Sequence, residues 1–180
     1  MKPGTKIAGG ALVMILSGTL ALFSPELNQM LSRWEGNGQN IVYPDKLAKN
    51  LPTVCRGITK YTSPEPIILG DYWSDEKCLE VEQTVVSEGQ IELAKCIKVY
   101  VTQPIFDAFS DFGHNVGNAN ACVSVAVGLL NAGRVAEACD AIAHKVPTKR
   151  PNWSVADGKF VQGLYNRRLD ERKQCLSGLH

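Results

Sequence analysis

The chain has 180 residues, 44% hydrophobic and 21% charged, with a formal net charge of +1. That length suits one domain with a sizeable core. The near-neutral balance argues against bulk nucleic-acid binding, which needs a strong basic excess.

Lys2 and Lys6 precede an uncharged run, Ile7 to Phe23 (IAGGALVMILSGTLALF). As a helix, this run at about 1.5 Å per residue spans roughly 25 Å, short of a hydrocarbon core of about 30 Å. Gly9, Gly10, Ser17, Gly18 and Thr19 weaken it further. One reading is a cleaved secretory signal; the other is a retained, marginal transmembrane segment. Thr19-Leu20-Ala21 is a poor cleavage site, and an amphipathic pattern begins directly after the run, so retention is favoured. In either case the positive end stays inside and the rest is exported.

Ser24-Pro25-Glu26 reads as a helix start, with a Ser cap, Pro in the first turn and an acid at the positive dipole end. Leu27, Met30, Leu31 and Trp34 form one helical face, and Gly36 and Gly38 stop the helix. Residues 39–62 predict a small β region, followed by a linker with Pro64, Pro66 and Gly70. Ser74 caps a long helix running to about Lys98, weakened at Gly89. Thr102 caps a helix with Phe106, Phe109 and Phe112 beneath it, broken at Gly117. Residues 121–131, 134–144 and 162–176 predict three more helices. A helix, a small sheet, a long connecting helix and a helical lobe make a two-lobed α+β fold with a cleft for a polymer.

Six cysteines (Cys55, Cys78, Cys96, Cys122, Cys139, Cys175) all follow the apolar run, and an even count in an exported chain reads as disulfides. Sequence alone does not choose among the fifteen pairings. No CxxC pair occurs and His114, His144 and His180 are scattered, so no metal site and no cofactor are expected. Residues 145–173 carry eight Lys/Arg against three acids, a local excess that suits either an anionic polymer or a solvated helix face.

Four segments carry a resemblance. Glu35-Gly36 at a helix end precedes Tyr43-Pro44-Asp45 and then Thr53 in PTVCRGIT; VTQPIFDAFSDFGHNVG spans 101–117; LLNAGRVAEACDAI spans 129–142; and GLYNRRLDERKQCL spans 163–176. In this order and spacing they resemble the phage-type lysozymes, the endolysin branch of the glycoside hydrolases, over nearly all of residues 27–176. The resemblance implies a lysozyme-like α+β fold over 25–180 behind an N-terminal segment, 1–24. It also implies a muramidase that cleaves the β-1,4 bond between N-acetylmuramic acid and N-acetylglucosamine with inversion. Glu35 is then the acid, Asp45 the base that directs water and Thr53 its assistant, with His114 and Asn115 lining the cleft. Physical chemistry agrees for Glu35: partial burial and the negative end of a helix both disfavour its charged form, which suits a general acid. Asp45, in a turn, stays ionised in this expectation.

The sequence departs from the family pattern in three places. Glu35 and Asp45 are ten residues apart rather than nine, Asp45 and Thr53 eight rather than six, and Ile58 stands where the family often has His. These changes keep open a peptidoglycan-binding relative without catalysis, and a lytic transglycosylase is a second rival. The apolar run resembles a signal-arrest-release segment, which implies an inner-membrane tether facing the periplasm, release when a phage holin collapses the potential, and then periplasmic action as a monomer. The run holds no cysteine, so control by topology rather than thiol exchange is expected. Mapping onto the family implies the pairs Cys55–Cys78, Cys96–Cys122 and Cys139–Cys175.

Overall fold

The computed structural model describes residues 12–15, 18–36, 38–46 and 49–179. Lys2, Lys6 and the start of the apolar run lie outside the described residues, as do Asn37, Leu47, Ala48 and His180.

Within the run, β1 (Leu12–Ile15) and β2 (Gly18–Ala21) pair as an antiparallel hairpin. Among the described residues no helix is long and apolar enough to cross a membrane. The end of β2 and the chain after it are seated on the domain. Leu20 and Leu22 are buried in the helical core. The side-chain amide of Gln103 accepts from Ala21 N at 2.8 Å and donates to Ala21 O at 3.1 Å. Phe23 N donates to Gln90 Oε1 at 2.7 Å.

Helix α1 (Pro25–Glu35) starts as its sequence predicts: Ser24 Oγ accepts from Leu27 N at 3.0 Å, and Leu27, Met30 and Leu31 are buried. Strands β3 (Gln39–Asp45), β4 (Leu51–Cys55) and β5 (Ile58–Thr59) form an antiparallel sheet in that order. Asp45 pairs with Leu51 and Tyr43 with Thr53, so the eight-residue separation of Asp45 and Thr53 includes the turn before Leu51; between Glu35 and Asp45 the register shifts within β3, between Gln39 and Tyr43. Ile58, where the resemblance suggested a bracing His, is 3% exposed and packs with Val42, Val54, Trp73 and Val81. Apolar contact stabilises the lobe at that point. The linker runs beside β3, with Trp73 N donating to Asn40 O at 2.7 Å and Val42 N to Asp71 O at 2.9 Å.

Helix α2 (Asp75–Ala94) joins the two lobes: Val81 packs in the sheet cluster and Leu93 in the helical one. It ends at Ala94, short of the expected Lys98. The side chain of Asn131 binds Lys98 N at 2.7 Å and Cys96 O at 2.8 Å, replacing helical bonds with tertiary ones. Helix α3 (Gln103–Val116) buries Phe106, Phe109 and Phe112 completely. The helix expected at 121–131 is two: α4 (Asn118–Cys122) and α5 (Val125–Asn131), because Ser124 breaks the run and caps the second through Val127 N. Helices α6 (Val135–Ala143) and α7 (Gln162–Ser177) complete the lobe. Between them lies an unanticipated hairpin, β6 (Val155–Ala156) and β7 (Lys159–Phe160), whose turn is Asp157-Gly158. The disulfides are Cys55–Cys78, Cys96–Cys122 and Cys139–Cys175, the pairs the resemblance implied.

One buried acid couples the N-terminal seat to pH. Asp107 is fully buried and accepts from Ser24 Oγ at 2.7 Å and from Gln103 Nε2 at 2.7 Å. Burial pushes its carboxyl up from 3.8 to about 6, against the two hydrogen bonds. A folded value above the unfolded one stabilises at low pH: the contribution is complete below about 4 and is lost as pH rises through about 6. Asp107→Asn should therefore flatten the fall in stability between pH 4 and 7, by about 2–3 kcal/mol. Thermal melts across that range check this; a fall as steep as the parent's would contradict it.

Candidate active site

The last turn of α1 ends at Glu35, and Gly36 and Gly38 turn the chain into β3 with φ of 73° and 68°. Gly38 is also a point of close approach. A Cβ there would lie 2.6 Å from the backbone carbonyl of Cys55, so only glycine lets β3 start against the end of β4. This return places Glu35 and Asp45 on one cavity of about 370 Å³, lined also by Tyr43, Arg56 and Gly57. Thr53 is not in that lining. It is 2% exposed, and its hydroxyl donates to Leu51 O at 3.0 Å on the strand that pairs with Asp45.

The sheet lobe is fixed against the helices by Arg56. Its guanidinium binds Glu82 on α2, Ser32 on α1, and Asn28 on α1 at 3.1 Å. Burial raises the Glu82 carboxyl, with Arg56 opposing. The Cys55–Cys78 bridge joins the same sheet to α2. The seat of the sheet lobe on α2 therefore rests on a charged tie and a covalent one.

The structure adds partners for Glu35 that were not assigned from the sequence. Arg167 on α7 donates from Nη1 to Glu35 Oε1 at 2.5 Å. Its other face forks onto Asp111 of α3, from Nε at 3.2 Å and Nη2 at 2.8 Å. Glu35 is about a quarter exposed, while Arg167 is almost wholly buried and Asp111 entirely so. Burial works against the Arg167 charge, but Asp111 and Glu35 more than offset it and hold the guanidinium above its ordinary value. Bidentate Arg–carboxylate geometry fixes an orientation that a lysine cannot. The signal for Arg167 was present in the Arg-Arg motif at 167–168, and that for Asp111 within 101–117, but neither motif announces which carboxylate it serves.

His114 and Asn115 face different surroundings. His114, half-buried, feels the charges of Glu35, Arg167, Asp111 and Arg56; burial is the largest influence and lowers its proton affinity. Asn115 lies on a separate cavity of about 340 Å³ with Trp153, Val155 and Leu164. Among the described residues no group of His, Cys, Asp and Glu is arranged to hold a metal.

The basic excess of 145–173 is divided: Lys145, Arg150, Lys159 and Lys173 are exposed, whereas other members are tied into the fold. Arg167 and Arg168 are buried. Lys149 and Arg172 both bind Asp140, which also meets His144 Nδ1 at 3.1 Å. Partial burial disfavours the Asp140 charge, but these donors hold its carboxyl down at about 2.

A family model described as phage lysozyme matches residues 32–171. An endolysin of Bacillus phage PZA is 39% identical over 84 residues, 47% of this chain but only 30% of that protein; the chain spans about a third of the length of such relatives. A SAR-endolysin of Escherichia phage 933W is 30% identical over 154 residues, covering 84% of this chain and 78% of the relative. Among solved structures, an endolysin from Escherichia coli O157:H7 phage FAHEc1 superposes with a TM-score of 0.69 at 25% identity, over 87% of this chain and 94% of that one.

Proposed function

The chain belongs to the phage lysozyme family, and from that premise we propose that it is a peptidoglycan-degrading endolysin acting in host lysis. The reaction is hydrolysis of the β-1,4 bond between N-acetylmuramic acid and N-acetylglucosamine. The observation that carries the proposal is the placing of Glu35 and Asp45 on one cavity, with Glu35 held from behind by Arg167. Glu35 protonates the leaving oxygen. Asp45, across the cavity on β3, orients a water and takes its proton as it attacks the opposite face of the sugar. An inverting site of this kind keeps its two carboxyls roughly 6.5–9.5 Å apart to admit that water. Thr53 supports Asp45 from the paired strand, and His114 and Asn115 contact the glycan. No cofactor takes part.

The tether is part of the same proposal. Residues 7–23 hold the enzyme at the inner membrane, facing the periplasm, until a holin discharges the potential. The small residues of the run keep its hold on the bilayer weak. The hairpin seated through Gln103 is the arrangement of the released form.

Product analysis tests the chemistry. Purified wall digested by the protein should yield new reducing ends with inverted anomeric configuration. Formation of 1,6-anhydro ends instead would select the transglycosylase, and binding without any cleavage the inactive relative. For the tether, a full-length, carbonate-resistant precursor is expected before lysis; a shortened soluble form from the outset would select the cleaved signal.

A further inference from the structure

The cavity that Asn115 lines is separate from the catalytic one but is built on the same two helices. Asn115 stands one turn beyond Asp111 on α3, and Leu164 one turn before Arg167 on α7. Arg167 and Asp111 make the fork behind Glu35, so the second cavity begins ~5.4 Å further along each helix. His114, between Asp111 and Asn115 in the chain, feels the charges of Glu35 and Arg167. A glycan strand longer than the two sugars that flank the cut bond has to leave the catalytic cavity, and this second cavity flanks it on the helical lobe.

Trp153 forms one side of it. The half-buried indole packs on the helical core, where its ring meets that of Phe112 edge-on, with centroids 5.5 Å apart. Phe112 is wholly buried, so the indole is held in place. The β6–β7 hairpin forms the other side. Val155 and Phe160 are directly opposed across the two strands and share a face. Val155 lines the cavity, and Phe160 stands against Tyr165 of α7 with centroids 6.0 Å apart. Yet Val155 is 59% exposed and Phe160 52%. The hairpin carries an apolar face and buries none of it in the core. The polar group is the exposed Asn115 carboxamide, which offers both donors and an acceptor. Apolar walls with one convergent amide make the composition of a small-ligand site.

We propose that this cavity is a distal sugar subsite, which takes the acetamido group of an N-acetylglucosamine ring in the bound strand, away from the bond that is cut. The acetamido methyl sits against Trp153 and Val155, and its amide pairs with the Asn115 carboxamide. This rests on glycan being the substrate. On that ring only the acetamido group joins a methyl to an amide; hydroxyls alone would leave the indole and the valine without an apolar partner. The group is also uncharged, as are all five lining residues, which disfavours a stem-peptide carboxylate as occupant. Contacts made equally in the ground and transition states hold substrate without speeding the chemistry, so the subsite sets how many sugars are gripped.

The test titrates chitotriose, a trimer of N-acetylglucosamine, into the nitrogen-15-labelled full chain carrying Glu35→Gln. The indole N–H signal of Trp153, identified by its absence in Trp153→Phe, should shift and saturate. Cellotriose, which lacks the acetamido groups, should not move it. Val155→Asp, on an exposed strand, should raise the midpoint of the chitotriose titration about tenfold. On soluble glycan strands stripped of stem peptide, the same substitution in the active enzyme should raise KM by a similar factor with kcat unchanged. An unmoved Trp153 signal, or a midpoint that Val155→Asp leaves unaltered, overturns the proposal. So does a signal moved by free stem peptide and not by chitotriose, which would give the cavity to the peptide. Should Val155→Asp fail to fold, Asn115→Ala takes its place in both measurements. If Glu35→Gln keeps full wall-degrading activity, it is the catalytic reading that fails, and the Trp153 titration still reports on the cavity.

Discussion

Glu35→Gln should lower wall-degrading activity on the order of 10³-fold while leaving the fold and murein binding intact. The amide has the shape of the acid and still accepts the hydrogen bond that Arg167 Nη1 donates at 2.5 Å. What it lacks is a transferable proton, and positioned acid–base catalysis contributes about 10²–10⁴-fold. Release of reducing ends from purified wall measures the loss, and circular dichroism with a pull-down on murein checks that folding and binding survive. A variant that digests wall at the parental rate would remove Glu35 from the chemistry, whatever the family pattern says.

The second large effect is on stability. Arg167→Ala should cost about 3–5 kcal/mol, because it strands Asp111, fully buried, and withdraws a cation from Glu171. For a chain of this size that is a fall in Tm on the order of 10 °C. Arg167→Lys restores the charge but not the fork onto Asp111, so it should recover only part of the loss. Urea midpoints for the three proteins measure this. A midpoint for Arg167→Ala within experimental error of the parent's would mean that the buried ion pairs stabilise nothing on balance. The residue thus serves both lobes of the problem: it orients Glu35 and holds α7 against α3.

Elements with a strong local signal were legible from the sequence. Ser24, Leu27, Met30 and Leu31 define α1 by cap and period, and the three phenylalanines define the buried face of α3. Boundaries set by distant partners were not. The end of α2 depends on Asn131, 33 residues beyond Lys98, and no local pattern reports that bond. The β6–β7 hairpin was missed because two-residue strands carry no period; its Asp157-Gly158 turn was the one available sign. In the site, Glu35 and Asp45 stood out because a helix stop and a turn are local events. The Arg167 partnership spans 132 residues and is a matter of tertiary packing. Arg56 likewise reads as a hairpin residue until Glu82 is seen beside it.

The seat of the N-terminal segment has one further consequence. Gln103 grips Ala21 by its amide hydrogen and its carbonyl oxygen, atoms that every residue except proline offers. Recognition at that point is blind to side-chain identity; the apolar requirement comes from its neighbours, Leu20 and Leu22 in the helical core and Phe23 against Leu27, Leu31 and Val86. The segment can therefore vary in oiliness at position 21 without losing its place on the domain. In the proposed lysis cycle, the clock and the lock are separable: substitutions that retune how long the run stays in the bilayer need not disturb where it lands afterwards.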